Sequence, residues 1–337
     1  MIEYKEKVKF LDEEGNVLNP GYSLRMNFIY GKERIKVRES RIKEWDFYQF
    51  IKNDWVFQFT IGHASLFGSY SINVFNMKTN EVYGLCELEL HNKDKVIYEN
   101  NTEVDHTLEV IRKKYQISFK LKNGKRILEY TGKHKKFGHV HMKAVIDNNY
   151  DNDKLVILTP FFESSKMFYL NYKENYYKAD IDCEFGSSFK LSVKDATGLL
   201  DCGRGYWPYR QEWYWSNMST ILFNHNFGWN LGWGFGNLKN ATENIFFYDN
   251  KGYKLKEIKM VKKTDKVLSN VTLDDTDGIF HAELCAFYDN FTHTDMIYIH
   301  NQCHQVYYKA KGYIIIDGKK IAFNNVTCFL EHANNQW

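Results

Sequence analysis

Large and small side chains alternate without interruption between residues 223 and 236. Because successive side chains of a β-strand point to opposite faces, this alternation predicts one long strand. One face is bulky and carries Phe223, His225, Phe227, Trp229, Leu231, Trp233 and Phe235. The other is nearly bare and carries Asn224, Asn226, Gly228, Asn230, Gly232, Gly234 and Gly236. Since glycine weakens a strand interior, the bare face indicates either a closely packed neighbouring element or the wall of a ligand cavity.

Shorter apolar runs of strand length occupy much of the first half of the chain. They span residues 42–50, 55–61, 69–77, 81–90, 107–111, 115–122, 125–130 and 139–145. The dipeptide Asn123-Gly124 separates two of these runs and is typical of a tight hairpin turn. No segment shows a long helical period, so the pattern predicts an all-β protein.

Three short patterns occur twice, in the same order. Residues 45–55 resemble 207–213, residues 72–85 resemble 244–255, and residues 123–127 resemble 317–321. An ordered repeat of this kind predicts two similar β-domains in tandem, as barrels or sandwiches, joined between residues 165 and 195.

Charge and composition narrow the class of protein. The net charge is +3 over 337 residues, with no dense basic block, so nucleic-acid binding is not favoured. No apolar segment has the length or position of a secretory signal or a transmembrane span. The six cysteines are scattered singly, which indicates reduced thiols. We therefore expect a cytoplasmic protein, and the sequence leaves its oligomeric state open.

Residues 201–215 combine an acid, arginines and a run of large aromatic side chains. Asp201 begins this segment, and a second acid, Glu243, follows the glycine-rich strand. A carboxyl group buried among aromatic rings can hold its proton near neutral pH and act as a general acid. We predict Asp201 and Glu243 as the acid and base of a cofactor-independent reaction. The residues leave open a structural alternative, in which Arg204 or Arg210 pairs with these acids.

The surrounding residues suit several kinds of ligand. Aromatic π faces and carboxylates stabilise a cationic intermediate, and the same side chains also bind sugars. We predict a small-molecule ligand that contacts Arg204, Tyr206, Trp207, Tyr209, Arg210, Trp213, Trp215, His225, His139 and His141. Three functions remain open: acid catalysis on an apolar or amphiphilic molecule, non-catalytic binding, and glycoside cleavage.

His139 and His141 share a predicted strand face with Lys143. Two histidines at this spacing can both bind a metal ion, and His225 or Glu331 with His332 could complete a site, but no third ligand stands at a diagnostic spacing. Lys143 on the same face also opposes a cation, so we expect no metal. The chain contains no nucleophile elbow, phosphate-binding loop or dinucleotide fingerprint, and we expect no cofactor.

Motifs spread nearly from end to end resemble the family known as domain of unknown function 2804 (DUF2804). They are Asn19–Arg25, Lys43–Tyr48, Gly138–His141, Asp201–Tyr209, Ala241–Asn244 and Phe329–His332 with Trp337. That family is similar to tandem lipocalin-like proteins such as carotenoid 1,2-hydratases and some cyclising enzymes. The resemblance implies two lipocalin-like antiparallel β-barrels, which we place at residues 1–175 and 176–337. It also implies a hydrophobic substrate and an acidic residue that protonates a double bond.

Overall fold

The computed structural model describes residues 1–64, 67–90, 96–99, 101–147, 151–296 and 299–337. The strands of the first part are β1 (Val8–Lys9), β2 (Gly21–Ser23), β3 (Phe28–Ile29), β4 (Lys43–Lys52), β5 (Trp55–Ala64), β6 (Phe67–Asn76), β7 (Val82–Leu90), β8 (His106–Ile111), β9 (Tyr115–Lys122), β10 (Lys125–His134), β11 (Gly138–Asp147), β12 (Leu155–Pro160), β13 (Phe168–Phe185) and β14 (Phe189–Tyr206). Those of the second part are β15 (Arg210–Leu222), β16 (His225–Trp233), β17 (Ile245–Tyr248), β18 (Lys251–Lys254), β19 (Ile258–Lys262), β20 (Val271–Asp275), β21 (Phe280–Met296), β22 (Ile299–Ile316) and β23 (Lys319–Gln336). Two 3₁₀ helices, Lys32–Arg34 and Glu39–Arg41, precede β4. Nowhere in the described ranges is there a helix long and apolar enough to cross a membrane.

The strands form two large antiparallel sheets. The order of the first is β7-β6-β5-β4-β14-β13-β11-β10-β9-β8, and β12 pairs with both β13 and β2. The order of the second is β18-β17-β16-β15-β23-β22-β21-β20-β19. Each sheet curls around its own apolar core, because strands from one edge to the other contribute to a single buried cluster. The predicted fold, two lipocalin-like antiparallel barrels in tandem, is confirmed.

The chain passes from the first sheet to the second between Tyr206 and Arg210. The join predicted at residues 175 and 176 lies inside β13, at a bulge where Tyr176 has a φ of 74°. Residues 176–206 therefore belong to the first sheet. The two 18-residue strands β13 and β14 form one long hairpin there, which is why strand-like residues continue through the predicted boundary.

The alternating segment forms β16, which is shorter than predicted. Phe223 and Asn224 precede it in a turn, with φ values of 51° and 65°, and Gly234 follows it with a φ of 83°. On the bulky face, Phe227 and Trp229 are fully buried in the second core.

The bare face of β16 packs against a neighbouring element at one position and borders a cavity at another. A Cβ at Gly228 would meet the side-chain amide of Asn175, so the first sheet packs closely there. Gly232 instead lines a cavity.

Candidate functional site

A cavity of about 410 Å³ lies between the two sheets. Its walls come from β4, β5, β6, β7, β13 and β14 of the first sheet and from β15, β16, β21, β22 and β23 of the second. On β4, Trp45 and Phe47 line the cavity, whereas Tyr48 is buried in the first core. The site is therefore an interface between the barrels, and both halves of the chain build it.

Lys173 joins the two acids predicted from the sequence. Lys173 on β13 stands directly opposite Asp201 on β14, so both side chains project from the same face. Its Nζ atom lies 3.2 Å from Asp201 Oδ1, 3.4 Å from Glu243 Oε2 and 4.1 Å from the ring centroid of Trp215. Burial lowers the pKa of Lys173, but attraction by the carboxylates of Asp201 and Glu243 outweighs burial and the pKa is raised. Lys173 is a buried cation shared by two carboxylates.

Asp201 is held by neutral donors as well. Trp45 Nε1 donates to Asp201 Oδ2 at 3.2 Å, and Asn171 Nδ2 donates to Asp201 Oδ1 at 2.6 Å. Gly203 on β14 stands opposite Trp45 on β4, and a Cβ at Gly203 would overlap the Trp45 ring. The first glycine of the Gly-Arg-Gly motif therefore leaves space for the indole that binds Asp201.

We expect Gly203→Ala to lower the free energy of unfolding by about 1–3 kcal/mol, because it overpacks the contact with Trp45. Urea unfolding measures this change. Gly62→Ala is the matched control, since a Cβ at Gly62 would lie 3.4 Å from Trp45 Cβ, an ordinary contact. Equal effects of the two substitutions would contradict the explanation.

Glu243 reaches the cavity from the loop between β16 and β17. Asn230 Nδ2 donates to the Glu243 carbonyl oxygen at 2.9 Å, and Lys254 Nζ donates to Thr242 Oγ1 at 2.9 Å. Burial lowers the pKa of Lys254 to about 7, against the attraction of Glu243. A Cβ at Gly232 would lie 3.1 Å from Glu243 Cδ, so the bare face of β16 makes room for this acid.

A third acid, Glu331 on β23, lines the same cavity. Trp213 Nε1 donates to its Oε1 at 3.2 Å, and Gln305 Nε2 to its Oε2 at 3.4 Å. Glu331 is half-buried, and burial raises the pKa of its carboxyl group to about 6, with a further contribution from the Asp201 carboxylate. Glu331 is therefore a carboxylic acid that holds its proton closer to neutral pH than usual.

The raised pKa of Glu331 predicts a pH-dependent stability difference between the wild type and Glu331→Gln. The folded protein holds the proton more tightly than the unfolded chain, so the wild type loses stability as pH rises from 4.5 to 6. Gln carries no charge, so we expect the variant to gain up to about 2 kcal/mol relative to wild type across this range. Chemical denaturation at several pH values measures the difference. A difference that does not change with pH would show that the pKa is not raised.

Tyr169 supplies a phenol to the same cavity. Its ring stacks on Trp45 with a centroid distance of 5.7 Å. Burial raises the pKa of Tyr169 well above its ordinary value, and the carboxylates of Asp201 and Glu243 raise it further. Its hydroxyl therefore remains a hydrogen-bond donor.

The structure brings together some of the residues predicted from the sequence. Asp201, Glu243, Trp213 and Trp215 all line the cavity. Arg204 does not, because it lies on the other face of β14, where its Nη2 is 2.6 Å from Asp46 Oδ1. The predicted alternative in which Arg204 or Arg210 pairs with Asp201 or Glu243 does not occur, since Lys173 takes that place.

The remaining predicted contacts lie outside the cavity lining. Trp207 is buried in an aromatic cluster with Phe161, Tyr169 and Phe235. Tyr206 is half-buried, while Tyr209 and Arg210 are exposed at the connection between the sheets.

The predicted histidines are also distant from this lining. His139 is exposed, His141 Nε2 lies 3.0 Å from Glu129 Oε1, and His225 Nδ1 lies 3.1 Å from Asp249 Oδ1. Across the described ranges, no three His, Cys, Asp or Glu side chains come together as metal ligands.

Sequence reasoning did not assign a role to Lys173, and it considered Glu331 only as a metal ligand beside His332. Lys173 lies in the stretch interpreted as a domain join. Its cross-strand partnership with Asp201 depends on the register of β13 and β14, which the local pattern does not reveal. Both Glu331 and Trp337 lie in a terminal motif that carries part of the family resemblance, so a signal for Glu331 was present.

Comparisons with known proteins agree with this fold. No curated protein sequence matches the chain. The crystal structure of kievitone hydratase from Nectria haematococca is similar, with a TM-score of 0.51 and 9% identity over 98% of each chain. An AttH-like protein from Nitrosomonas europaea has a TM-score of 0.47 and 8% identity, over 88% of this chain and 92% of its own. At such low identity the likeness to kievitone hydratase shows the fold alone. The model of the family described as "Domain of unknown function (DUF2804)" matches residues 1–337, and the chain belongs to that family.

Proposed function

We propose that the protein is a cofactor-independent enzyme that protonates a carbon–carbon double bond of a small amphiphilic molecule in the cavity between its barrels. The observation that carries the proposal is the cluster of Asp201, Glu243 and Glu331 around Lys173, within largely aromatic walls. Hydration, isomerisation and cyclisation all begin with this protonation. The likeness to a hydratase is consistent with the proposal but does not carry it.

Glu331 is the proposed proton donor, in place of the acids predicted from the sequence. Its raised pKa keeps part of the population protonated near neutral pH, which general acid catalysis requires. Asp201 and Glu243 both form ion pairs with the ammonium group of Lys173 and line the same cavity. They therefore suit the roles of base and of electrostatic stabiliser.

The proposed step conserves atoms and charge. The proton leaves the Glu331 carboxyl oxygen, and the π electrons of the double bond form the new carbon–hydrogen bond. The resulting carbocation faces the rings of Trp213 and Trp215 and the carboxylates of Asp201 and Glu243. Attack by water followed by loss of a proton gives an alcohol, loss of a neighbouring proton gives an isomer, and attack by a second double bond followed by loss of a proton gives a ring. In each case a carboxylate of the cavity accepts the proton, so the charge returns to its starting value.

Deuterium uptake tests the proposal even when the product is unknown. The protein is incubated in D₂O with a panel of unsaturated alcohols, amines and acids, and the products are analysed by mass spectrometry. Because the Glu331 proton exchanges with solvent, each turnover is expected to place deuterium on carbon. Ligands that bind the cavity but take up no deuterium would instead indicate a non-catalytic binding protein.

A further inference from the structure

The charges that line the cavity are unbalanced. In the part of the chain that the structure describes, the lining contains four carboxyl side chains and one lysine: Glu44, Asp201, Glu243, Glu331 and Lys173. Glu44 has its own cation, because Lys32 Nζ lies 3.3 Å from its Oε2. Lys173 is shared between Asp201 and Glu243, while Glu331 is held by the neutral side chains of Trp213 and Gln305. The lining therefore carries more negative than positive charge.

Besides these groups, the described lining contains a histidine and several aromatic rings. The lining histidine, His63, has its Nε2 atom 3.0 Å from the Tyr70 hydroxyl. The aromatic rings of Trp45, Trp213 and Phe235 present π faces, whose negative potential attracts cations. Lys173 already uses the Trp215 ring in this way.

Buried and exposed positions both contribute to the lining. Asp201 and Glu243 are buried, and so are the rings of Tyr169 and Trp215, whereas Leu88 and Met296 are 53% and 42% exposed. A ligand that fills this cavity therefore meets carboxyl groups and aromatic rings at buried positions and apolar side chains at exposed ones.

We infer that the cavity binds amphiphiles with a positively charged head, such as a primary ammonium group, and rejects amphiphiles with a carboxylate or phosphate head. The inference rests on the proposed function in taking the same cavity as the ligand site. An ammonium group in the cavity is attracted by the carboxyl groups of Asp201, Glu243 and Glu331, which the lysine of the described lining does not balance. A carboxylate at the same position meets like charge in a poorly hydrated site.

Three probes with the same chain and different heads test this inference: octylammonium, octanol and octanoate. Isothermal titration calorimetry near neutral pH measures their dissociation constants. We expect octylammonium to bind at least about tenfold more tightly than octanoate, with octanol between them. Glu331→Gln is expected to weaken octylammonium binding by about tenfold and to leave octanol binding nearly unchanged.

Glu283→Gln is the matched control, because Glu283 is half exposed, pairs with Lys311 and lies outside this cavity lining. It should leave all three affinities unchanged. Thermal melting confirms that both variants are folded. Three results would each overturn the inference. Octanoate could bind as tightly as octylammonium or more tightly, Glu331→Gln could leave octylammonium binding unweakened, or none of the probes could bind. These binding measurements require no turnover. The binding inference can therefore fail while deuterium uptake is observed, and it can hold while no deuterium uptake is observed.

Discussion

Lys173→Met is expected to lower the free energy of unfolding by about 3–5 kcal/mol, the largest stability change that we predict. The substitution keeps most of the buried side-chain volume and removes the positive charge. Asp201 and Glu243 would then face each other in a site where neither can be well hydrated. Urea unfolding near neutral pH measures the effect.

Lys194→Met is the control for this prediction. Lys194 also forms an ion pair, 2.8 Å from Asp180, but its side chain is 74% exposed, so we expect no measurable loss of stability. The double variant Lys173→Met with Asp201→Asn should recover part of the loss, because it removes one of the two unpaired carboxylates. A Lys173→Met protein as stable as wild type would mean that the two carboxylates do not depend on this cation.

Glu331→Gln is expected to lower turnover by about 10²- to 10⁴-fold on any unsaturated amphiphile that takes up deuterium, the usual contribution of a positioned general acid. Gln preserves the shape of the side chain and can accept from Trp213 as the carboxyl group does. It has no acidic proton to transfer. Initial rates of deuterium incorporation measure the effect, and thermal melting of the variant checks that lost activity is not due to unfolding.

Glu212→Gln provides the same chemical change on the neighbouring strand β15. Glu212 is exposed, pairs with His332 and does not belong to the cavity lining, so the rate should stay close to wild type. If Glu331→Gln keeps its activity and Asp201→Asn or Glu243→Gln loses it, the proton donor is one of the two acids predicted from the sequence.

Local patterns were sufficient to predict the fold class and some of the residues that line the cavity. The alternation around Trp229 gave the strand and its buried face, because side-chain direction in a strand depends only on parity. The bare face containing Gly232 correctly indicated a cavity near Glu243.

Parity also explains why Arg204 lies outside the cavity lining. Asp201 and Arg204 are neighbours in sequence, but an offset of three residues puts them on opposite faces of β14. Arg204 therefore pairs with Asp46 on the side of the first core, and an arginine motif that suggested ligand contact has a structural role.

The partners of Asp201 depend on long-range register, which a single sequence does not specify. Lys173 is brought to Asp201 by the β13–β14 hairpin, and Glu331 arrives from a strand of the other sheet. Two halves that fold around separate cores give no local signal of which outer faces will meet. The cavity could be suspected from the sequence, but its third acid and its lysine could not be assigned to it.

The first core and the cavity use opposite sides of β4 in this protein. Tyr48 belongs to the first core while Trp45 and Phe47 border the space between the halves. We therefore expect substitutions at the cavity-lining positions of β4 to change ligand preference without disturbing the packing of the core. New ligand specificity can therefore be engineered at the cavity-lining positions while the core residues of each barrel stay unchanged.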